Sequence, residues 1–305
     1  MMHEKFEACI LCGAIGDAWG SVYENQVSKN DSITYYLAKK TVPPINWMIT
    51  DDTQLTLATC EALSEPNFYP EHLAEKILHY YKDKKLTGLG ASTLKAILDI
   101  EAGINWRLAG RRGEFAAGNG AAMRIAPFAF FEKITRENIF DACRITHNND
   151  EAFCGALAVY LSIKNILNHS WQKDKNLIEM ILPELPDTKV KDRLIEINSF
   201  GKSASIAEIG KLGTNGYVVN SVPFAIFCST KVFELSIEKT FQSIMDAGGD
   251  TDTNASIAGQ IMGSMIGINN IPPALINKLK TLPEYVWIKN TIDETKDWLA
   301  HKRSD

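Results

Sequence analysis

The stretch DAGGDTDTNASIAGQIMGSMIG, residues 246–267, decides the fold and points to the chemistry. Gly259, Gly263 and Gly267 recur at four-residue spacing, with Ala255 on the same stripe. Glycine costs about 1 kcal/mol per site inside a helix. Three on one face therefore predict a helix crossed tightly by another backbone, a buried post that holds rigidly whatever stands at its start. At that start Gly248-Gly249 allow a tight path, and Asp250 and Asp252 converge with the Thr253 hydroxyl. The D-x-D-x-N spelling resembles an EF-hand loop. The loop glycine and the glutamate at position twelve are missing, however, and residues 259–262 continue a helix.

Outward from this segment the apolar period stays near 3.6, as in Phe6-Ile10-Leu11, Leu73-Ile77-Leu78-Tyr81 and Leu157-Val159-Tyr160-Ile163. No period-two run of β-branched residues bounded by hairpin turns competes with it. The strongest strand candidate, Tyr217-Val218-Val219, passes beside Pro223 into a helical pattern. The reading is all-α, with medium helices joined by short loops. Without a Pro/Ser-rich linker or a repeat of 20–50 residues, residues 1–305 are expected to form a single domain. Pro43-Pro44, Pro183 to Pro186 and Pro272-Pro273 mark turns, and the polar segment from Trp171 to Asp192 is expected at the surface.

The composition is that of an ordinary globular protein, 45% hydrophobic and 23% charged, with a net charge of -5. Nothing in that balance calls for nucleic acid or a membrane surface. An anionic substrate would have to be met locally by metals, backbone amides or a few basic side chains. Glu4 and Glu7 stand where a signal peptide needs basic residues, and the apolar run from Asn254 to Ile268 is too short to span a bilayer. The expected location is cytoplasmic. Six cysteines, at 9, 12, 60, 143, 154 and 228, fall in apolar helical patterns and read as buried thiols. Cys9 and Cys12 spell CxxC, but no second pair follows at zinc-site spacing.

A second acidic turn, Thr50-Asp51-Asp52-Thr53-Gln54, leads into the helix 55–63. It reads either as a capping box, Asp followed three residues later by Gln, or as hard oxygen donors for Mg²⁺, Mn²⁺ or Ca²⁺. It shares its design with the turn at Asp250, about 200 residues away. If the two meet, their carboxylates repel strongly unless cations lie between them, and a pair of metals is a common hydrolytic arrangement. The segment 13–24, GAIGDAWGSVYE, has glycines where a helix is expected to break into a loop. Asp17 reads as a cap of backbone groups, and Glu24, on a mobile loop, as the better candidate for proton transfer. Gly118-Asn119-Gly120-Ala121-Ala122-Met123-Arg124 lacks the third glycine and the strand of a dinucleotide fingerprint. It still offers small residues opening a helix whose N–H groups could cradle a diphosphate, and Gly88-Leu89-Gly90-Ala91-Ser92-Thr93 is a loop of the same kind. His147, ahead of the helix 151–163, reads as a structural hydrogen-bonding group.

Together these segments resemble the ADP-ribosylglycohydrolase family, of the dinitrogenase reductase activating glycohydrolase type. The matching pieces are GAIGDAWGSVYE (13–24), TDDT (50–53), GLGAST (88–93), GNGAAMRIAP (118–127), TH (146–147), GYVVNSVPFAI (216–226) and DAGGDTDTNASIAGQIMGSMIG (246–267), in family order. The resemblance implies a compact orthogonal multi-helix bundle with two divalent cations, Mg²⁺ or Mn²⁺, at the bottom of a cleft. Thr50, Asp51 and Asp52 would hold one ion, Asp250 and Thr253 the other, with Asp252 bridging. It implies catalytic roles for Glu24, Asp51 and Asp52. Substrate contacts would come from Gly88, Gly90, Ser92, Gly118, Asn119, Gly120, Ala121, Met123 and His147.

The function this implies is hydrolysis of the glycosidic bond between ADP-ribose and a modified side chain, arginine before others. O-linked ADP-ribose, on serine or in O-acetyl-ADP-ribose, is the alternative within the family. An immunity protein that counters an ADP-ribosylating toxin by hydrolysis or by binding is the alternative of another class. The expected partner is an ADP-ribosylated protein or an ADP-ribose-containing small molecule.

Overall fold

A computed structural model describes residues 2–24 and 46–301; the Pro43-Pro44 turn lies outside them. Helices of nine residues or more are α1 (Met2–Glu24), α2 (Asp51–Leu63), α3 (Pro70–Lys82), α4 (Ala91–Glu101), α5 (Arg136–Arg144), α6 (Asp150–Leu167), α7 (Lys189–Ser199), α8 (Val218–Thr230), α9 (Ile237–Ala247), α10 (Thr251–Ile266) and α11 (Tyr285–His301). Among the described residues there is no strand, only two isolated bridges, Arg111 with His147 and Gly118 with Tyr217. The all-α expectation holds. Tyr217 caps α8 instead of opening a strand. No helix among the described residues is long and apolar enough to cross a membrane.

The buried post predicted at 255–267 is α10, and the backbone that crosses it is α1. A side chain begun at Gly263 would meet the Ala8 carbonyl oxygen at 2.1 Å, and one at Gly259 the Cys12 oxygen at 2.3 Å. Gly16 faces the Ala255 oxygen at 2.2 Å, and Gly20 the Asp252 α-carbon at 2.4 Å. Each step of about four residues up α1 is matched by four down α10, so the two helices run antiparallel with their backbones in contact. Nothing larger than hydrogen fits at these crossing points.

Two expectations change here. α1 does not break at Gly13, Gly16 and Gly20; it continues to Glu24 because those glycines form the groove that receives α10. Glu24 is accordingly the last residue of a helix, not part of a loop. Gly267 does not belong to the packing stripe. It ends α10 in a left-handed conformation (φ +75°) with no atom near enough to exclude a side chain.

The antiparallel crossing brings the C-terminal end of α1 to the N-terminal end of α10. All six cysteines are buried and unpaired, and burial pushes the Cys9 thiol up to about 12. In the polar segment 171–192, residues 172–175 are exposed while Leu177, Ile178 and Ile181 turn inward.

Candidate active site

The site begins with Asp17, in the middle of α1 and fully buried. Its carboxylate accepts the Thr50 N–H at 3.0 Å, the Thr53 N–H at 3.1 Å, the Thr50 hydroxyl at 2.8 Å and the Thr53 hydroxyl. It therefore caps the first turn of α2 from across the core, the capping role read from its sequence context. Thr50 is the N-cap residue. Gln54 takes no part in a capping box. It grips Thr87 through both ends of its amide, accepting from Thr87 N–H at 2.8 Å and donating to the hydroxyl at 2.9 Å. That clamp fixes the approach to Gly88.

The two acidic turns meet. Thr253 Oγ1 donates to Asp52 Oδ2 at 3.0 Å across 201 residues of chain. Carboxylate oxygens of Asp17, Asp52 and Asp252 lie within 4.8 Å of one another, as do those of Glu24, Asp250 and Asp252, so Asp252 belongs to both groups. Gly249, with φ +82° and a Thr214 backbone that would crowd any side chain at 2.5 Å, lets the loop turn back so that Asp250 N–H reaches Thr214 O at 2.9 Å. Asn119 Nδ2 then donates to Asp250 Oδ2 at 2.7 Å.

These acids are crowded and largely dry. Burial, reinforced by the Asp17 charge, pushes Asp51 up to about 8. Burial together with Asp17, Asp51 and Asp250 holds Asp52 well above the usual carboxylate range, and burial with Asp52 and Asp250 takes Asp252 to about 11. Among the described residues no lysine or arginine forms an ion pair with any of them. Asp52 Oδ1 is buried with no hydrogen-bond partner. An orphaned carboxylate oxygen amid like charges and threonine hydroxyls is a donor set suited to hard divalent cations.

Around this cluster lies a cleft of about 550 Å³, a ligand-sized volume. Glu24, Asp51, Asp52, Asp250, Asp252 and Thr253 line one side of it. Gly88, Gly90 and Ser92, at the start of α4, and Gly118, Asn119, Gly120, Met123 and His147 line the rest. Gly90 precedes the first turn of α4, where unpaired N–H groups gather. Two sequence-predicted residues do not reach the cleft. Ala121 is buried in the apolar core at 1% exposure, and Thr50 sits behind Asp52 with its hydroxyl on Asp17.

The segment 118–124 does not open an α-helix. It is a turn leading into a 3₁₀ segment, Ala126–Phe130. Its glycines serve the imidazole of His147: a side chain at Gly120 would meet His147 Cε1 at 2.7 Å, and one at Gly118 its Nε2 at 3.1 Å. His147 is buried, with Nδ1 2.8 Å from the Thr146 hydroxyl. Burial, with Arg124 and Arg111 nearby, lowers its pKa to about 3.

Sequence reading missed Arg111, Phe115 and Asn215, which also line the cleft, as do Thr93, Gly216 and Gly249 from its quoted motifs. Phe115, 81% exposed, is the most exposed large apolar side chain among the described residues, and Arg111 lies over its ring at 5.7 Å. Nothing in the spacing of RRGEF marks it. Arg111 arrives through backbone pairing with the stretch around His147, its N–H on Thr146 O at 3.0 Å.

Fold and cleft together define an all-helical protein with an acidic, ligand-sized pocket between the ends of two central helices. The model of the ADP-ribosylglycohydrolase family matches residues 1–305. The chain belongs to that family and is an ADP-ribosyl hydrolase. It is 30% identical over 280 residues to an uncharacterized protein of Archaeoglobus fulgidus, covering 86% of this chain and 88% of the relative. To ADP-ribosylhydrolase ARH3 of Gallus gallus it is 24% identical, covering 95% and 93%. To ADP-ribosylarginine hydrolase Tri1 of Pseudomonas putida it is 23% identical, covering 90% and 74%. A solved structure titled ADP-ribosylglycohydrolase-related protein complex shares the fold, with a TM-score of 0.71 at 21% identity over 98% of this chain and 99% of that one.

Proposed function

We propose that this protein, acting as one domain over residues 1–305, hydrolyses the bond between ADP-ribose and an arginine side chain with two divalent cations, Mg²⁺ or Mn²⁺. The observation that carries the reading is the double carboxylate cluster sharing Asp252 at the foot of the cleft. Asp51 and Asp52, with Thr50 behind them, would hold one ion. Asp250 and Thr253 would hold the other, and Asp252 would serve both. Cations held by these residues would supply orientation of the ribose hydroxyls and a lowered pKa for a bound water.

The chain's own residues supply the rest. The bond from C1″ to the guanidino nitrogen breaks, water oxygen joins C1″, and the departing guanidine takes a proton. Glu24, exposed at the end of α1 beside Asp250 and Asp252, accepts the proton of the attacking water or passes one to the leaving group. The named activity of the Pseudomonas relative supports arginine as the leaving group. The opposite charge lies elsewhere in the lining. Arg111 and the N–H groups opening α4 suit a diphosphate, and the bare ring of Phe115 offers a stacking face for a base.

The test is release of ADP-ribose from arginine-linked and serine-linked substrates by the purified protein, with and without chelator. Turnover on arginine-linked substrate that needs Mg²⁺ or Mn²⁺ and vanishes in Asp252→Ala is expected. Turnover persisting in chelator removes the ions from the reading, and a preference for serine-linked substrate removes arginine.

A further inference from the structure

Arg124, the last residue of the GNGAAMR turn, has no place in the reaction above. It is the largest fully buried side chain among the described residues, 1% exposed. A guanidinium is almost never buried without a carboxylate, yet the acceptors it finds are neutral. Nη1 donates to Gly120 O, and Nη2 donates to Ala142 O at 3.0 Å and to Thr146 Oγ1 at 2.8 Å. Such a residue must repay its desolvation by fixing something.

The next contact shows what. Thr146, 0% exposed, receives the Arg124 proton on its oxygen and lies 2.8 Å from His147 Nδ1. Arginine is only ever a donor, so one lone pair of Oγ1 is spent, and the buried hydroxyl proton needs an acceptor. His147 Nδ1 is the acceptor in reach. Were Nδ1 protonated instead, two donors would converge on Oγ1 and its own proton would be stranded. The arrangement that satisfies every group leaves Nδ1 bare and puts the ring proton on Nε2, the nitrogen beside Gly118 and Gly120 at the cleft.

We propose that Arg124 and Thr146 are positioning residues that lock His147 as the neutral Nε2–H tautomer, so that it presents a hydrogen-bond donor to an acceptor oxygen of the ligand. The chain Arg124 → Thr146 → His147 → ligand runs in one donor direction. It also explains why the turn carries glycines: they make room for a ring whose orientation is fixed from behind. Buried beside Arg124, the imidazole stays uncharged and does not compete with the acids as a proton source.

This inference rests on the cleft being the ADP-ribose site, but its first test needs no ligand. Nitrogen-15 NMR of the ligand-free protein reads the tautomer of His147 directly. The expected result is protonated Nε2 and bare Nδ1 in the wild type and in Thr146→Ser, which keeps the hydroxyl. In Thr146→Val the Nδ1–H form appears. ADP-ribose affinity then falls about tenfold, the worth of one hydrogen bond to a charged or strongly polar group, with KM moving more than kcat. A wild-type Nδ1–H tautomer overturns the proposal, as does a Thr146→Val protein with unchanged tautomer and affinity. Should the valine variant fail to fold, the wild-type and serine spectra decide alone. Failure of the cleft assignment has a separate signature, wild-type protein that does not bind ADP-ribose at all.

Discussion

At the scale of single residues, the site is a set of side chains whose meaning depends on one neighbour each. Asp17 looked like a helix cap and is one, but its oxygens also stand within reach of Asp52 and Asp252. Gly120 looked like an exposed amide and is a space for His147. That second assignment is testable by adding one carbon. In Gly120→Ala the new methyl meets Cε1 at 2.7 Å, so the ring or the turn must move. We expect a loss of about 1–3 kcal/mol in stability, the usual cost of overpacking, together with weaker ADP-ribose binding. Denaturant unfolding and calorimetric titration check the two effects, and an alanine variant that binds as the wild type does would show that the ring has slack.

At the scale of elements, the crossing of α1 and α10 organises the molecule. Its periodicity was written plainly in Gly259 and Gly263, but the matching groove at Gly13, Gly16 and Gly20 read as a broken helix, because glycine has poor helix propensity and local rules see only that. Packing outweighs propensity here. The usual gain from replacing a helical glycine by alanine is therefore expected to reverse. Gly263→Ala sets a methyl against the Ala8 carbonyl at 2.1 Å, and should destabilise by about 3 kcal/mol. Since the same crossing aligns Gly20 with Asp252, hydrolysis should fall with it; an urea midpoint at or above that of the wild type would contradict the crossing.

At the scale of the whole molecule, the balance of charge inside the cleft couples stability to pH and to ions. Asp17, Asp51 and Asp252 are raised from an ordinary value of 3.8 to about 6, 8 and 11. In chelator the folded form thus holds protons that the unfolded chain releases. Their stabilising contribution is complete below pH about 4 and is lost as pH climbs through each folded value. The metal-free melting temperature should accordingly fall from pH 5 to pH 9. Mg²⁺ or Mn²⁺ at a hundredfold excess over its Kd should restore about 2.7 kcal/mol, most visibly at the alkaline end. A metal-free melting temperature that is flat or rising across this range, by scanning calorimetry, would sink the account of the acids as unpaired.

What the amino-acid order determined alone was whatever depends on neighbours three or four positions apart: the helical period, the glycine stripe of α10 at Gly259 and Gly263, and the two acidic turns. The tertiary structure decided that those turns meet and that two carboxylate groups share Asp252, that α1 runs unbroken to Glu24, that Arg111 and Phe115 line the cleft while Ala121 does not, and which nitrogen of His147 lies beside Gly118. Local spacing encodes which side chains share a helix face. Contacts across 200 residues arise only when every apolar face is buried at once, and no single segment carries that information.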